Sequence, residues 1–519
     1  MNQNRKKVLH SQSHCKKNVA YSNKNKFSLR ICFFFCNFAP KMWSLLAIFF
    51  LQFADKAGSE VICLSPTAIE MREERGIVID SLDYAVSPVY LDSIKSLGAN
   101  VLHTSRWMNG ATIEASTQVI LTVEKFSFVD TVYLTRGSIS PLNPSSISLQ
   151  KRNVITSNKE ELDVNNLGSN GQLHLMNLLP LHKAGYKGHG IRIGIADGGF
   201  YNADSLPSLE HAKDQWLGYT DFTDDPDDIF GKSGNHGTLC LSTIMAKKSV
   251  SDSVFINVPA FQGAATEAEY YLFRTEEHAS ESLKEIDNWV AAIEMADSLG
   301  LHIVTTSLGY TTFDNKSTNF SYSDMDGRTS RGAQAAAIAT RKGMLLVAAA
   351  GNDGNKSWHY LSTPADADSI LTVGAVNIDK QIAAFSSYGP SADGRVKPEV
   401  CAVGEGTTLI NPANDAIMSG NGTSFACPLV AGMAACLWSA LPQATNMEIR
   451  EMIIRSCDRY DQPNEQYGYG IPNAWAAYTA ATTDIPNILY PTPYTKILHN
   501  GQLYILHEGK MYNILGYRL

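Results

Sequence analysis

Positive charge is scarce beyond the first tenth of this chain. Its 519 residues hold 43 Lys+Arg against 51 Asp+Glu, a formal net charge of −8. Residues 1–54 contain nine Lys/Arg and no Asp/Glu, which leaves the rest of the chain at −17. A body that acidic, with no basic helix or stripe, argues against nucleic acid as a partner. Paired cysteines are lacking too. Of the nine cysteines, Cys240, Cys401, Cys427, Cys436 and Cys457 fall in the body, with no CxxC and no zinc-like spacing, so they read as buried free thiols. The apolar run "WSLLAIFFLQF", Trp43–Phe53, is too short to cross a bilayer comfortably and matches a signal-peptide core. "AGS" at Ala57–Ser59 then offers a cleavage site, and Met42 offers a true start, with residues 1–41 an over-called extension. The expectation is export with cleavage, the membrane being met only in transit. An uncleaved anchor is the rival, helped by "ICFFFCNF" at Ile31–Phe38 and broken by Pro40 and Lys41. Internal repeats and a G-x-S-x-G elbow are also absent.

What is present is an alternation of apolar strands and helical patterns. "IRIGIA", "EYYLFR", "HIVTTSLG", "MLLVAAAG" and "ILTVGAV" read as buried strands. Between them lie helices such as "SLKEIDNWVAAIEMADSLG", Ser282–Gly300, with one apolar stripe and a terminal glycine. The fold class is therefore α/β, a doubly wound, mostly parallel sheet with helices on both faces. Right-handed crossovers would put Asp197, Ser307 and Gly351 at strand carboxyl ends, along the edge where sites of such sheets lie. The expected division is a basic extension and leader over 1–59, a small α+β domain over 60–136, a Ser/Asn/Pro-rich linker over 137–170, the main domain over 171–483, and a β-hairpin tail over 484–519.

Four stretches share one texture, a glycine turn at an apolar element carrying one reactive side chain. They are "IGIADGGF" with Asp197, "GNHGTLC" with His236, "AAAGNDG" with Asn352 and "NGTSFACP" with Ser424. Acyl transfer by a serine needs a hydroxyl, a base, a carboxylate to orient that base, and donors for an oxyanion. One candidate exists for each: Ser424 attacks, His236 takes its proton, Asp197 holds the imidazole, and Asn352 joins the Ser424 N–H at the oxyanion. The chain order Asp…His…Ser separates this pattern from other triad folds.

Together these motifs resemble the subtilisin-like serine peptidases, the subtilases, over roughly residues 171–480. Phe425 stands where Met is common in the serine motif, and "DGG" departs from the family's Asp-Ser/Thr-Gly. The resemblance implies a secreted or cell-surface serine endopeptidase acting on proteins or peptides without a cofactor for its chemistry. It implies an edge strand for substrate at Ser307, Leu308 and Gly309, an opposite pocket wall at Ala349, Ala350 and Gly351, and Ser362 near the pocket floor. An apolar or medium-sized side chain fits that pocket best, and Asp353 at the rim tolerates a basic one. Residues 60–136 resemble a subtilase propeptide of Bacteroidetes type, an intramolecular inhibitor removed by self-processing. The C-terminal "KILHNGQLYILHEGKMYNILG" resembles the last strands of sorting tails in such bacteria. Structural calcium is an implied ligand, for which Asp221, Asp224, Asp225, Asp227 and Asp228 supply oxygens; a solvated loop is the plainer reading. His174, His182 and His189 read as surface residues. A lipase or esterase is excluded by the missing elbow and the chain order. The remaining alternative is a catalytically inactive binding protein on the same fold, and such proteins typically lose a triad residue or the asparagine.

Overall fold

The computed structural model describes residues 46–137, 169–225, 227–232, 234–248 and 261–483, together with short strands at 495–499, 502–507 and 510–513. Its centre is a seven-stranded sheet. Across the sheet the strands run Val400–Val403, Leu371–Val376, Leu345–Ala349, Ile303–Thr306, Arg192–Asp197, Glu269–Arg274 and Trp216–Asp221. Every neighbouring pair is parallel. Because helices cover both faces, the five interior strands are buried almost residue for residue, which is why they read as unbroken apolar runs. Trp216–Asp221, at the sheet edge, alternates half-buried and exposed positions. The sequence pattern does not mark it, nor the four-residue strand Val400–Val403.

The helix Leu283–Leu299 begins at a capping box of Ser282 and Glu285 and ends on Gly300 in the left-handed conformation. The helix Thr423–Ala440 lies almost wholly buried against the sheet. It is also the one described helix long and apolar enough to cross a membrane, and 89% of that stretch is buried inside the fold. It is a core helix.

The run read as a leader core is something else. Leu46–Phe53 is an inner strand of a four-stranded antiparallel sheet in the N-terminal domain. It pairs with Gly110–Ser116 on one side and Val129–Arg136 on the other. Both of its faces are covered, hence its continuous apolarity. Leu51 and Phe53 point into the domain's own core, while Phe50 joins the cluster around Trp289 of the main domain. The N-terminal domain therefore starts before residue 60, and the predicted cleavage at Ala57–Ser59 would cut off its central strand. In the tail, three antiparallel strands, Thr495–His499, Gln502–His507 and Lys510–Asn513, include the expected hairpin around "HEGK" and one strand more.

Candidate active site

Strand register places the site. Thr306 pairs with Ala196 on one side and Ala348 on the other, so Asp197, Ser307 and Ala349–Gly351 emerge together at the carboxyl edge. Asp197 is fully buried. Its Oδ1 accepts from the Gly198 N–H at 2.7 Å and from His236 Nδ1 at 2.7 Å. A proton on Nδ1 leaves Nε2 as the basic nitrogen. Two glycine turns bring the loops this close. A Cβ on Gly234 would lie 2.4 Å from Gly198 O, and one on Gly237 would lie 2.5 Å from Gly199 O. Tyr201 N donates to Gly234 O at 2.7 Å and Gly237 N to Gly199 O at 3.0 Å, locking the loops backbone to backbone. At Gly198 a Cβ would meet only Glu276, at 3.6 Å, so the departure from Ser/Thr there leaves Asp197 undisturbed.

Ser424 sits at the second position of its helix, 7% exposed, and its Oγ lies 3.4 Å from Ser307 O. Pro428 explains a detail the sequence reading missed. A proline four residues on cannot donate to the Ser424 carbonyl. That freed carbonyl accepts instead from Ser307 Oγ at 2.8 Å and from Cys240 Sγ at 3.3 Å. Ser307 thus braces Ser424 from behind, beyond its expected place on the edge strand. Cys240, one turn after His236, is a buried thiol as expected, but it lies against the Asp197–His236 pair, 3.8 Å from His236 Nδ1. Burial and the nearby Asp197 charge push its pKa well up.

Asn352 is held by its carbonyl. Oδ1 accepts from Thr423 N at 2.9 Å and from Thr423 Oγ1 at 3.1 Å, which turns Nδ2 the other way. A Cβ on Gly422 would lie 3.6 Å from Ser424 N and 3.8 Å from Asn352 Nδ2. Both donors therefore border the one space that Gly422 leaves open.

The expected pocket residues also converge. Ser362 Oγ would be 2.0 Å from a Cβ on Gly309 and 3.5 Å from one on Gly351, so it lies between the two expected walls. Leu308, Ala349 and Ala350 are buried. Asp353 is paired with Lys356 at 2.7 Å. Negative charge gathers instead beside Tyr310, whose hydroxyl donates to Glu276 Oε1 at 2.6 Å. Burial together with Glu276 and Glu281 pushes the neighbouring Glu285 up to about 11.

The acidic run is largely exposed, as a solvated loop would be: Asp221, Asp224, Asp227 and Asp228 all face solvent, and three of its carboxylates also meet protein cations. Asp221 and Asp225 pair with the buried Arg274 guanidinium, which also donates to Asp227 O. Asp224 receives Lys284 Nζ at 2.6 Å, and Asp228 accepts from Phe230 N at 3.2 Å. Arg274 and Lys284 already occupy three of the five carboxylates expected as calcium ligands, Asp221, Asp224 and Asp225. His174 and His189 are exposed. His182 is buried, against expectation, because Ala264 O at 2.8 Å and Gln262 at 2.9 Å satisfy its two ring nitrogens.

A parallel sheet with a buried Asp–His pair, a helix-borne serine and two converging N–H donors defines a hydrolase of the serine type. The sequence comparisons make that specific. The subtilase family matches residues 188–470, and the Bacteroidota propeptide domain of the same peptidases matches residues 49–153. The chain belongs to the subtilase family. Subtilisin DY of Bacillus licheniformis is 30% identical over 308 residues, covering 58% of this chain and 97% of that one. The thermostable alkaline protease of Halalkalibacterium halodurans is 29% identical, covering 59% and 72%. Subtilisin BL of Lederbergia lenta is 29% identical, covering 57% and 93%. This is a subtilisin-like serine peptidase preceded by a propeptide domain. The propeptide match starts inside the run that resembled a leader.

Proposed function

We propose that the chain is a self-processed endopeptidase zymogen whose triad is Asp197, His236 and Ser424. The observation that carries this reading is the His236 Nδ1–Asp197 Oδ1 contact of 2.7 Å. It leaves Nε2 to receive the Ser424 proton as Oγ attacks a peptide carbonyl. The oxyanion forms between Asn352 Nδ2 and the Ser424 N–H, where donors held in place before reaction cost no reorganisation. His236 returns its proton to the leaving amine, and water later releases the acyl group by the same path. The extension Ser307–Gly309, just past the strand Ile303–Thr306, and the wall Ala349–Gly351 hold the substrate backbone, with Ser362 between them at the first side-chain pocket. These steps use side chains, the Ser424 main-chain N–H and water. Processing falls within residues 137–170, a stretch that overlaps the end of the propeptide match and precedes the peptidase match. Export accords with the propeptide class, and the apolar stretch left for a leader, Ile31–Phe38, lies outside the described residues.

The test compares the full chain with its Ser424→Ala variant by intact mass and by labelling with a fluorophosphonate. Loss of the N-terminal domain and labelling in the parent, with neither in the variant, is the expected result. A folded parent that does neither is instead a binding protein on an inherited scaffold.

A further inference from the structure

The N-terminal domain grips the peptidase domain on two faces. One is the broad face of its sheet, laid on the helix Leu283–Leu299, where Arg106 Nη2 donates to Asp297 Oδ2 at 2.7 Å and Ser105 Oγ to Glu294 Oε1 at 2.5 Å. The other is an excursion, Cys63–Asp83, that leaves the sheet after its first strand. Ser65 caps the helix Pro66–Glu74, and its own N–H donates to Ser298 O at 2.8 Å. Ala68 settles on Gly300, where a Cβ would come within 3.1 Å of it. Arg75 stacks over the Trp438 ring at 4.8 Å and donates to Gly343 O at 3.1 Å. Lys342 Nζ then donates to Asp80 at 2.9 Å and Asp83 at 2.7 Å.

The place of these contacts matters more than their number. Gly300 immediately precedes the strand Ile303–Thr306, and Lys342 and Gly343 precede Leu345–Ala349. They lie at the amino edge of the sheet, whereas Asp197, Ser307 and Asn352 lie at the carboxyl edge. Among the described residues, the contacts of the excursion named above all fall away from the carboxyl edge.

Its chemistry suits a partner that must later leave. Arg72 pairs with Asp83 at 3.0 Å and Asp297 at 2.8 Å, and Arg106 and Lys342 complete a set of three cations against Asp83, Glu294 and Asp297. All six are buried. The charges cancel only across the junction, so separation leaves Asp297 and Glu294 without their arginines and Lys342 without its carboxylates. Losing one partner of a buried pair is strongly destabilising, yet the parted surfaces are charged and readily hydrated.

We propose that Cys63–Asp83 is a second, cleft-independent anchor for the N-terminal domain, seated on the amino edge of the peptidase sheet. This rests on the zymogen reading and adds where the inhibitor is held. A domain severed within 138–168 stays on the enzyme through this anchor even when its hold on the cleft is weakened.

The experiment uses the full chain with Ser424→Ala and a recognition sequence for a site-specific protease placed within 138–168. After cutting, dissociation of the N-terminal domain is followed by dilution and size-exclusion chromatography. Lys342→Met, which keeps the aliphatic stem and lies outside the N-terminal domain, is expected to speed dissociation on the order of 10²-fold. Asn352→Ala, in the cleft, leaves the rate unchanged. Equal rates for Lys342→Met and the parent overturn the proposal, as does a rate governed by Asn352. Hydrogen exchange supplies a measure that needs no anchor variant. Amides of Pro66–Asp83 keep their protection after cutting if the anchor holds, and lose it if the anchor is absent. Catalysis plays no part in either readout, so a failed triad assignment would show in the labelling experiment and leave these results standing.

Discussion

Asn352 carries two duties on one amide, its oxygen fastening Thr423 and its nitrogen facing the space over Gly422. Asn352→Ala removes that donor, together with the oxygen that fastens Thr423, and keeps the three proposed triad side chains. Turnover is expected to fall on the order of 10²–10³-fold, the size of loss when a subtilisin gives up its side-chain donor, with KM little changed. Equal loss in KM would instead mark a ground-state contact, so kcat and KM measured separately decide the point. The proposed site residues Asp197, His236, Asn352 and Ser424 stood out in the sequence because acyl transfer by a serine needs those residue types at turns closing apolar elements. Ser307 Oγ and Cys240 were not legible in their supporting roles. Both act on the Ser424 carbonyl, which is free only because Pro428 cannot donate to it, and that relation joins residues more than a hundred positions apart.

Among the elements, the interior strands of the large sheet declared themselves, whereas its two edge strands, the half-buried Trp216–Asp221 and the short, buried Val400–Val403, did not. Leu46–Phe53 shows how the same signal misleads. A strand sandwiched between its own domain and another has no polar face, so its sequence matches a leader core equally well; only its pairing on both sides distinguishes the two. A chain started at residue 60 would lack this strand. Such a chain is expected to yield neither soluble zymogen nor self-processed product, while one that keeps Leu46–Phe53 yields both. Soluble yield and intact mass test this. The acidic run was legible only in part, because the sequence shows five aspartates together but not the Arg274 and Lys284 that reach three of them from the next strand and helix.

For the whole molecule, the junction between propeptide and peptidase responds to pH. His103 Nε2 donates to Asn288 Oδ1 at 3.0 Å, and the ring is faced by Lys284, Asp224 and Phe222. Burial, with the Lys284 charge second, holds its pKa below the ordinary value. A lowered imidazole pKa makes the docked form the neutral one. Docking is therefore fully present above about pH 6.5 and weakens as pH falls below it. The severed domain is expected to dissociate faster at pH 5 than at pH 8, and His103→Gln should flatten that difference. The variant separates His103 from Glu294 and Asp287, whose carboxyls burial also raises.

The thiols give the fold a clock. Cys240, Cys401, Cys427, Cys436 and Cys457 are buried and unpaired, and burial pushes Cys401 and Cys427 up to about 12. A thiol held protonated inside the core reacts with an alkylating reagent only after its surroundings open. Cys401 and Cys457 lie in and beside the sheet's last strand and the helix Asn446–Arg455, whereas Cys240 and Cys427 flank the site. The order in which mass increments appear would thus time which part of the enzyme opens first, with no probe added to the chain.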